Sequence, residues 1–174
     1  MIIINRIYYE NDEIKIENLN EEDVYLTITP EQLAACGSES GHQKALFCWA
    51  ALNQHLYPQL KWLYAVPNGF YAADNFKGYG SGQKAKMKAE GLRDGVPDVV
   101  LPWPQRWEYI SKYGTVNYCA LYIEMKREKY RNAKNGGCSD EQLEWLDYLN
   151  GAGYKAVVCY SWIEARNIII EYLR

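Results

Sequence analysis

Gly95-Val96-Pro97-Asp98-Val99-Val100-Leu101 and Tyr118-Cys119-Ala120-Leu121-Tyr122-Ile123-Glu124-Met125-Lys126 decide how this chain folds. In the second stretch, β-favouring residues predict a strand whose period of two puts Ala120, Tyr122, Glu124 and Lys126 on one face, with Leu121, Ile123 and Met125 on the other. In the first, a Gly-x-Pro turn, whose proline presets φ and donates no hydrogen bond, delivers Asp98 to the head of a second apolar run. As neighbouring strands, the two runs let Asp98 and Glu124 share a cation.

Hard divalent ions such as Mg²⁺ take one or two carboxylates together with water and substrate phosphate. Asp98 and Glu124 supply that set, and Lys126, two residues past the second acid, lies where it can orient an attacking water or offset charge in a phosphorane-like transition state. By themselves these residues are equally well explained by a salt bridge along one exposed strand face.

Around them, further motifs occur in a fixed order. Glu39 with His42-Gln43 precedes Pro67-Asn68-Gly69. Lys84 to Lys88 leads into Glu90-Gly91-Leu92-Arg93-Asp94-Gly95-Val96-Pro97-Asp98, and Gln142 and Trp145 follow the Glu-x-Lys strand. From Glu39 onward the chain thus resembles the VRR-NUC family of the PD-(D/E)xK nuclease superfamily, over about the last three quarters of its length, with motifs that are specific in combination.

The resemblance implies an α/β restriction-endonuclease-like core, a central mixed β-sheet flanked by helices, in residues 37–174; residues 1–36 lie outside it and read, from their own pattern, as a β-containing N-terminal extension. It implies a Mg²⁺- or Mn²⁺-dependent DNA endonuclease. Asp98, Glu124 and the Met125 carbonyl are expected to hold the metal, and Glu39 to bind it directly or through water. Lys126 is expected to position or deprotonate the attacking water, its pKa lowered by burial. Gln142 is implied near the metal or the substrate phosphate.

Short stand-alone members resemble Holliday-junction resolvases that act as homodimers, and look typical of phages and prophages. Branched DNA is therefore the expected partner, because two symmetric nicks need two sites related by a two-fold axis. A flap- or nick-directed nuclease, or a non-catalytic DNA-binding protein on the same fold, are the alternatives. Two features depart from the family: Phe70 to Asp74 lacks the usual second glycine and basic residue, and Pro102 to Asn117 is long and aromatic.

The net charge of −3 is unevenly spread. Residues 1–40 hold nine acids and two bases, giving −7, which leaves +4 for residues 41–174. Two basic clusters, Lys84, Lys86, Lys88 and Arg93 (with Lys77), and Arg127, Lys129, Arg131 and Lys134, bracket the proposed site. Interleaved with Tyr79 and Tyr130, they suit contacts to a phosphate backbone; a solvated charged loop is the plain alternative for each.

With 174 residues, 48% hydrophobic and 24% charged, the composition is that of one compact enzyme domain. No segment approaches the ~20 apolar residues of a membrane span. Met1 to Arg6 is too short for the apolar core of a signal peptide, so a cytoplasmic location is expected. The five cysteines, 36, 48, 119, 138 and 159, contain no C-x-x-C pair and are expected to be reduced, with Cys119 and Cys159 buried in strands. Two histidines, 42 and 55, do not furnish a zinc or Ser-His-Asp centre, although His42 can lie near the site.

Strands are expected over Ile2 to Tyr9, Ile14 to Ile16, Lys61 to Val66, Asp98 to Leu101, Tyr118 to Lys126 and Lys155 to Tyr160. A short helical turn begins after Pro30. Ser38 or Ser40 should cap a helix with Ala45, Leu46, Trp49, Leu52 or Asn53, and Leu56 on one face, and Gly82 to Gly91 should be a basic helix ended by glycine. Ser139 and Gln142 have capping-box spacing before Leu143, Leu146 and Leu149. That gives Gln142 a structural role beside the one the resemblance implies, while Trp145 reads as a helix-face residue. A last helix starts at Ser161.

Overall fold

In the computed structural model, the structure describes residues 4–10, 13–19, 28–66, 86–105 and 118–174. Strands β1 (Ile4–Glu10) and β2 (Glu13–Leu19) form an antiparallel two-stranded sheet, with Ile7 opposite Ile16. The remaining strands, β3 (Tyr64–Ala65), β4 (Val99–Leu101), β5 (Leu121–Met125) and β6 (Lys155–Cys159), make a four-stranded sheet in that order. β3, β4 and β5 are antiparallel to their neighbours, whereas β5 and β6 run parallel. A parallel pair needs a crossover, here supplied by helix α3 (Asp140–Gly151).

Four helices begin where a side chain satisfies free N–H groups. Thr29 and Gln32 form a capping box on α1 (Pro30–Ala34). Ser38 accepts from Gly41 N–H at 3.0 Å to start α2 (Glu39–Leu52). Ser139 and Gln142 box α3, and Ser161 caps α4 (Trp162–Leu173).

Strand alternation then assigns the two faces of the sheet. Val99, Leu101, Leu121, Ile123 and Met125 pack with Ala45, Leu46 and Trp49 of α2 and with Trp162, Ala165, Ile169 and Tyr172 of α4. On the other face Tyr122, Ala156 and Val158 meet Leu146 and Leu149 of α3. Leu46, Ile123 and Ile169 are fully buried, so truncating any of them to alanine costs about 2–5 kcal/mol.

Several expected boundaries move. Pro58 starts a 3-10 turn through Trp62 and leaves only two residues for β3, because proline at the first position favours a turn of helix. β5 starts at Leu121, and Cys119 precedes it exposed, whereas Cys159 is buried in β6 as expected. Leu52 and Leu56 are exposed, so the buried face of α2 ends at Ala50. The basic helix is seen at residues 86–89 and terminates at Gly91, φ +108°. No helix among the described residues is long and apolar enough to cross a membrane.

Candidate active site

The register that pairs Val99 with Ile123 places the next residues outward, Asp98 and Glu124, opposite each other on the α3 side of the sheet. Backbone bonds hold that corner. Val66 N–H donates to the Asp98 carbonyl at 2.8 Å, and Lys126 N–H to the Cys159 carbonyl at 2.9 Å, extending both ladders by one residue. Met125 N–H donates to Asp98 Oδ2 at 2.9 Å, tying the turn to β5.

Glu124 is 1% exposed. Its Oε1 accepts from Lys126 Nζ at 2.8 Å and from Gln142 Nε2, while its Oε2 is buried with no partner. A buried carboxylate oxygen left without a donor costs free energy unless something fills its place. Burial first, then the charge of Asp98, pushes the Glu124 carboxyl up to about 7 in spite of Lys126. Burial also raises Asp98, against the Met125 hydrogen bond and the Lys126 charge. Two neighbouring carboxyls that both resist ionisation mark a place suited to a cation.

The donor set therefore fits a hard divalent ion: two carboxylates, one with an unsatisfied buried oxygen, and the adjacent Met125 carbonyl. Glu39, in the first turn of α2, raises Asp98, Glu124 and Lys126 through its charge. Among the described residues no three His, Cys, Asp or Glu side chains close into a metal cluster. Asp98 and Glu124 are thus a pair to which Glu39 adds field.

Lys126 corrects one expectation. Burial does pull its ammonium down, but the hydrogen bond and charge of Glu124 outweigh this and leave the lysine raised. It stays a cationic donor on the Glu124 carboxylate.

Gln142 fills the capping role expected of it and also reaches Glu124. Its Oε1 accepts Ser139 N–H at 3.0 Å, and Ser139 Oγ accepts Gln142 N–H at 3.3 Å. With the oxygen so committed, the NH₂ is left to donate to Glu124. Helix α3 is seated on the Asp98 turn by two further contacts. Trp145 Nε1 donates to the Asp94 carbonyl at 3.1 Å, as befits a helix-face residue. Gly95, φ +86°, lies where a Cβ would come within 2.7 Å of the Glu141 backbone.

Val66 and Cys138 had no site reading in the sequence, and His42 was expected to lie near the site. Val66 bonds the Asp98 backbone. Cys138 is buried and charge-coupled to Lys126, Glu124, Asp98 and Glu39, its thiol raised mainly by burial; the only signal for it was its place before the Ser139 cap. His42 serves the fold, its Nδ1 accepting Trp162 N–H at 3.5 Å.

The basic clusters separate by partner. Lys88 pairs with Asp94 at 2.6 Å, and Lys86 approaches Glu90 at 3.8 Å. Arg93 donates to the Leu92 carbonyl at 3.4 Å. Arg131 is held by Glu128 through two bonds of 2.7 Å and by Glu164, and stacks over Tyr160 at 4.5 Å. Lys129 lies 4.7 Å from the Tyr130 ring centroid, and Lys134 is exposed. Lys77, Tyr79, Lys84, the Pro67 to Gly69 turn, Phe70 to Asp74 and residues 106–117 lie outside the described residues. An open cleft of about 400 Å³, lined by Asp94, Glu141, Glu144, Trp145 and Tyr148, flanks the turn on the α3 side.

Comparison with known proteins identifies the family and agrees with the fold. A family model described as the VRR-NUC domain matches residues 38–162. A solved structure titled "VRR_NUC domain protein" superposes with a TM-score of 0.54 at 21% identity, covering 78% of this chain and 87% of that one. No curated protein matches. The mixed four-stranded sheet with flanking helices is the α/β restriction-endonuclease-like fold.

Proposed function

From the premise that this chain belongs to the VRR-NUC family, within a nuclease superfamily, we propose that it hydrolyses DNA phosphodiester bonds at the Asp98–Glu124 corner. The observation that carries this reading is the unsatisfied, buried Oε2 of Glu124, a residue opposite Asp98 in the register, while Oε1 accepts from Lys126 and Gln142.

Asp98, Glu124 and the Met125 carbonyl would hold Mg²⁺ or Mn²⁺, with Glu39 acting directly or through water. Bound there, the ion would act as a Lewis acid on the phosphate and make its water more acidic. Lys126 favours the ionised form of Glu124, against burial and the charge of Asp98, and would offer its remaining protons to the attacking water or to the oxygens on which charge develops. Gln142 holds Glu124 in one rotamer, so the carboxylate need not reorganise. In-line attack would give 5′-phosphate and 3′-hydroxyl ends, as the family resemblance implies.

The resemblance also supports branched DNA as substrate and a homodimer as the acting form, since paired nicks need two sites. The carboxylates of the cleft on α3 repel phosphate, which directs the DNA toward the basic side chains after β5. The test incubates wild type and Asp98→Ala with a four-way junction, a flap and a linear duplex, with Mg²⁺, with Mn²⁺ and with EDTA. Paired symmetric nicks in the junction alone, lost in the mutant and in EDTA, are the expected result. Cutting of flaps or duplex to the same extent replaces the junction reading with a general nuclease. Metal-independent cutting, or binding without cutting, overturns the mechanism.

A further inference from the structure

Among the described residues, Arg127 is the one basic side chain with a buried donor left unsatisfied. Its Nε is buried without a hydrogen-bond partner, and among the described residues its guanidinium has no ion pair. Glu128, next to it in the chain, is engaged elsewhere, serving Arg131 together with Glu164. Guanidinium stays charged at any physiological pH, so a half-buried one with an unmet donor is costly unless an anion completes it.

Its position names the anion. Lys126 continues the β5 ladder through its bond to Cys159, and Arg127 follows in extended backbone, φ −75° and ψ 142°. Alternation sends Lys126 to the Glu124 side of the sheet and Arg127 to the opposite side, where α2 and α4 pack. Starting one residue from Lys126 but leaving by the other face, Arg127 cannot share the phosphate at Asp98 and Glu124. Its planar fork would instead fit a neighbouring phosphate of the same backbone with two parallel hydrogen bonds.

We infer that Arg127 is the clamp for a phosphate adjacent to the scissile one, and that Arg131, from the same basic segment, is an internal tie. This deepens the nuclease reading and rests on it. Arg127 is a positioning residue that acts in ground-state binding.

The test measures binding of a fluorescein-labelled DNA duplex by anisotropy in EDTA across a salt series, for wild type, Arg127→Ala, Arg127→Lys and Lys155→Ala. Lys155 is the control, a cation at the opposite end of β6, four residues from Cys159. Arg127→Ala should bind about tenfold more weakly and lose about one from the slope of log K against log salt. Arg127→Lys should keep the slope but lose part of the affinity, and Lys155→Ala should match wild type. With Mg²⁺ present, Arg127→Ala should raise KM with kcat within a few-fold of wild type. An unchanged slope in Arg127→Ala, or an equal loss in Lys155→Ala, overturns the inference. Should the alanine variant lack a melting transition, Arg127→Gln and Arg127→Lys are compared instead, and equal slopes for these two overturn it. Wild type that cuts while Arg127→Ala keeps its slope removes this inference alone; wild type that neither binds nor cuts removes the nuclease reading with it.

Discussion

Replacing Gln142 separates the two loads its amide carries. Ser139→Ala breaks the capping box and leaves the bond to Glu124, so it should cost about 1 kcal/mol, the usual value for an N-cap. Gln142→Ala breaks both. To the loss at the cap it adds a hydrogen bond to a buried charged group, worth about 1.5–3 kcal/mol, for a total of roughly 2–4 kcal/mol. For a domain of this size that is a fall in Tm of about 6–12 °C by calorimetry in EDTA. If the whole Glu124 contribution is felt in the transition state, cleavage drops about 10–100-fold, while Ser139→Ala stays near wild type.

Gln142→Glu is the sharper variant, because glutamate completes a capping box as well as glutamine does. It keeps the helix start but puts a second carboxylate against Glu124. One of the two must then hold a proton, so its metal-free Tm should be near wild type at pH 5 and clearly lower at pH 8. A Gln142→Glu protein that melts like wild type at pH 8, or a Ser139→Ala protein as inactive as Gln142→Ala, would refute the reasoning.

Gly95→Ala forces a Cβ onto the Glu141 backbone at 2.7 Å from a left-handed φ of +86°, so thermal melts should show destabilisation by about 2–4 kcal/mol; a loss below ~1 kcal/mol would mean the turn and α3 are not locked together. Asp98→Asn keeps an acceptor for Met125 N–H, so its melting curve should stay within a few degrees of wild type while cleavage falls on the order of 10²–10³-fold; retained cleavage in a gel assay contradicts the metal role of Asp98. Glu124 sits near pH 7 when folded against 4.5 normally, so the folded chain binds the extra proton between those values. For this group, metal-free stability is therefore full below about pH 4.5 and declines by the order of 3 kcal/mol by pH 7 and above, with Asp98 acting in the same direction. Mg²⁺ should restore the loss, and EDTA melts that rise from pH 5 to 8 would reverse the sign of this argument.

The two central strands and the acids at their ends were legible because strand alternation and a Gly-x-Pro turn are local signals. So was the Ser139 box, which needs only a spacing of three residues. Lys126 was misread because its titration depends on which acid touches it, and burial alone gives the wrong sign. The difference between Arg127 and Arg131 was hidden for the same reason: Glu164 lies 33 positions away, and only packing of α4 brings it to Arg131. Trp145 was placed correctly on the helix face, yet its hydrogen bond to Asp94, 51 positions back, has no local signature. Pro58 was visible in the sequence, but an apolar run after it reads as strand until tertiary packing chooses the tighter turn.

The opposition of Asp98 and Glu124 follows from counting residues along two short strands. Deleting one residue within β4 or β5 would turn one acid to the far face of the sheet, where Ile123 and Met125 pack against α2 and α4. Extra residues in the connection between Gln105 and Tyr118 leave that count untouched. A reporter peptide or fluorescent tag grafted into that connection should therefore be tolerated by the Asp98–Glu124 corner, whereas the same graft one residue inside either strand should abolish it.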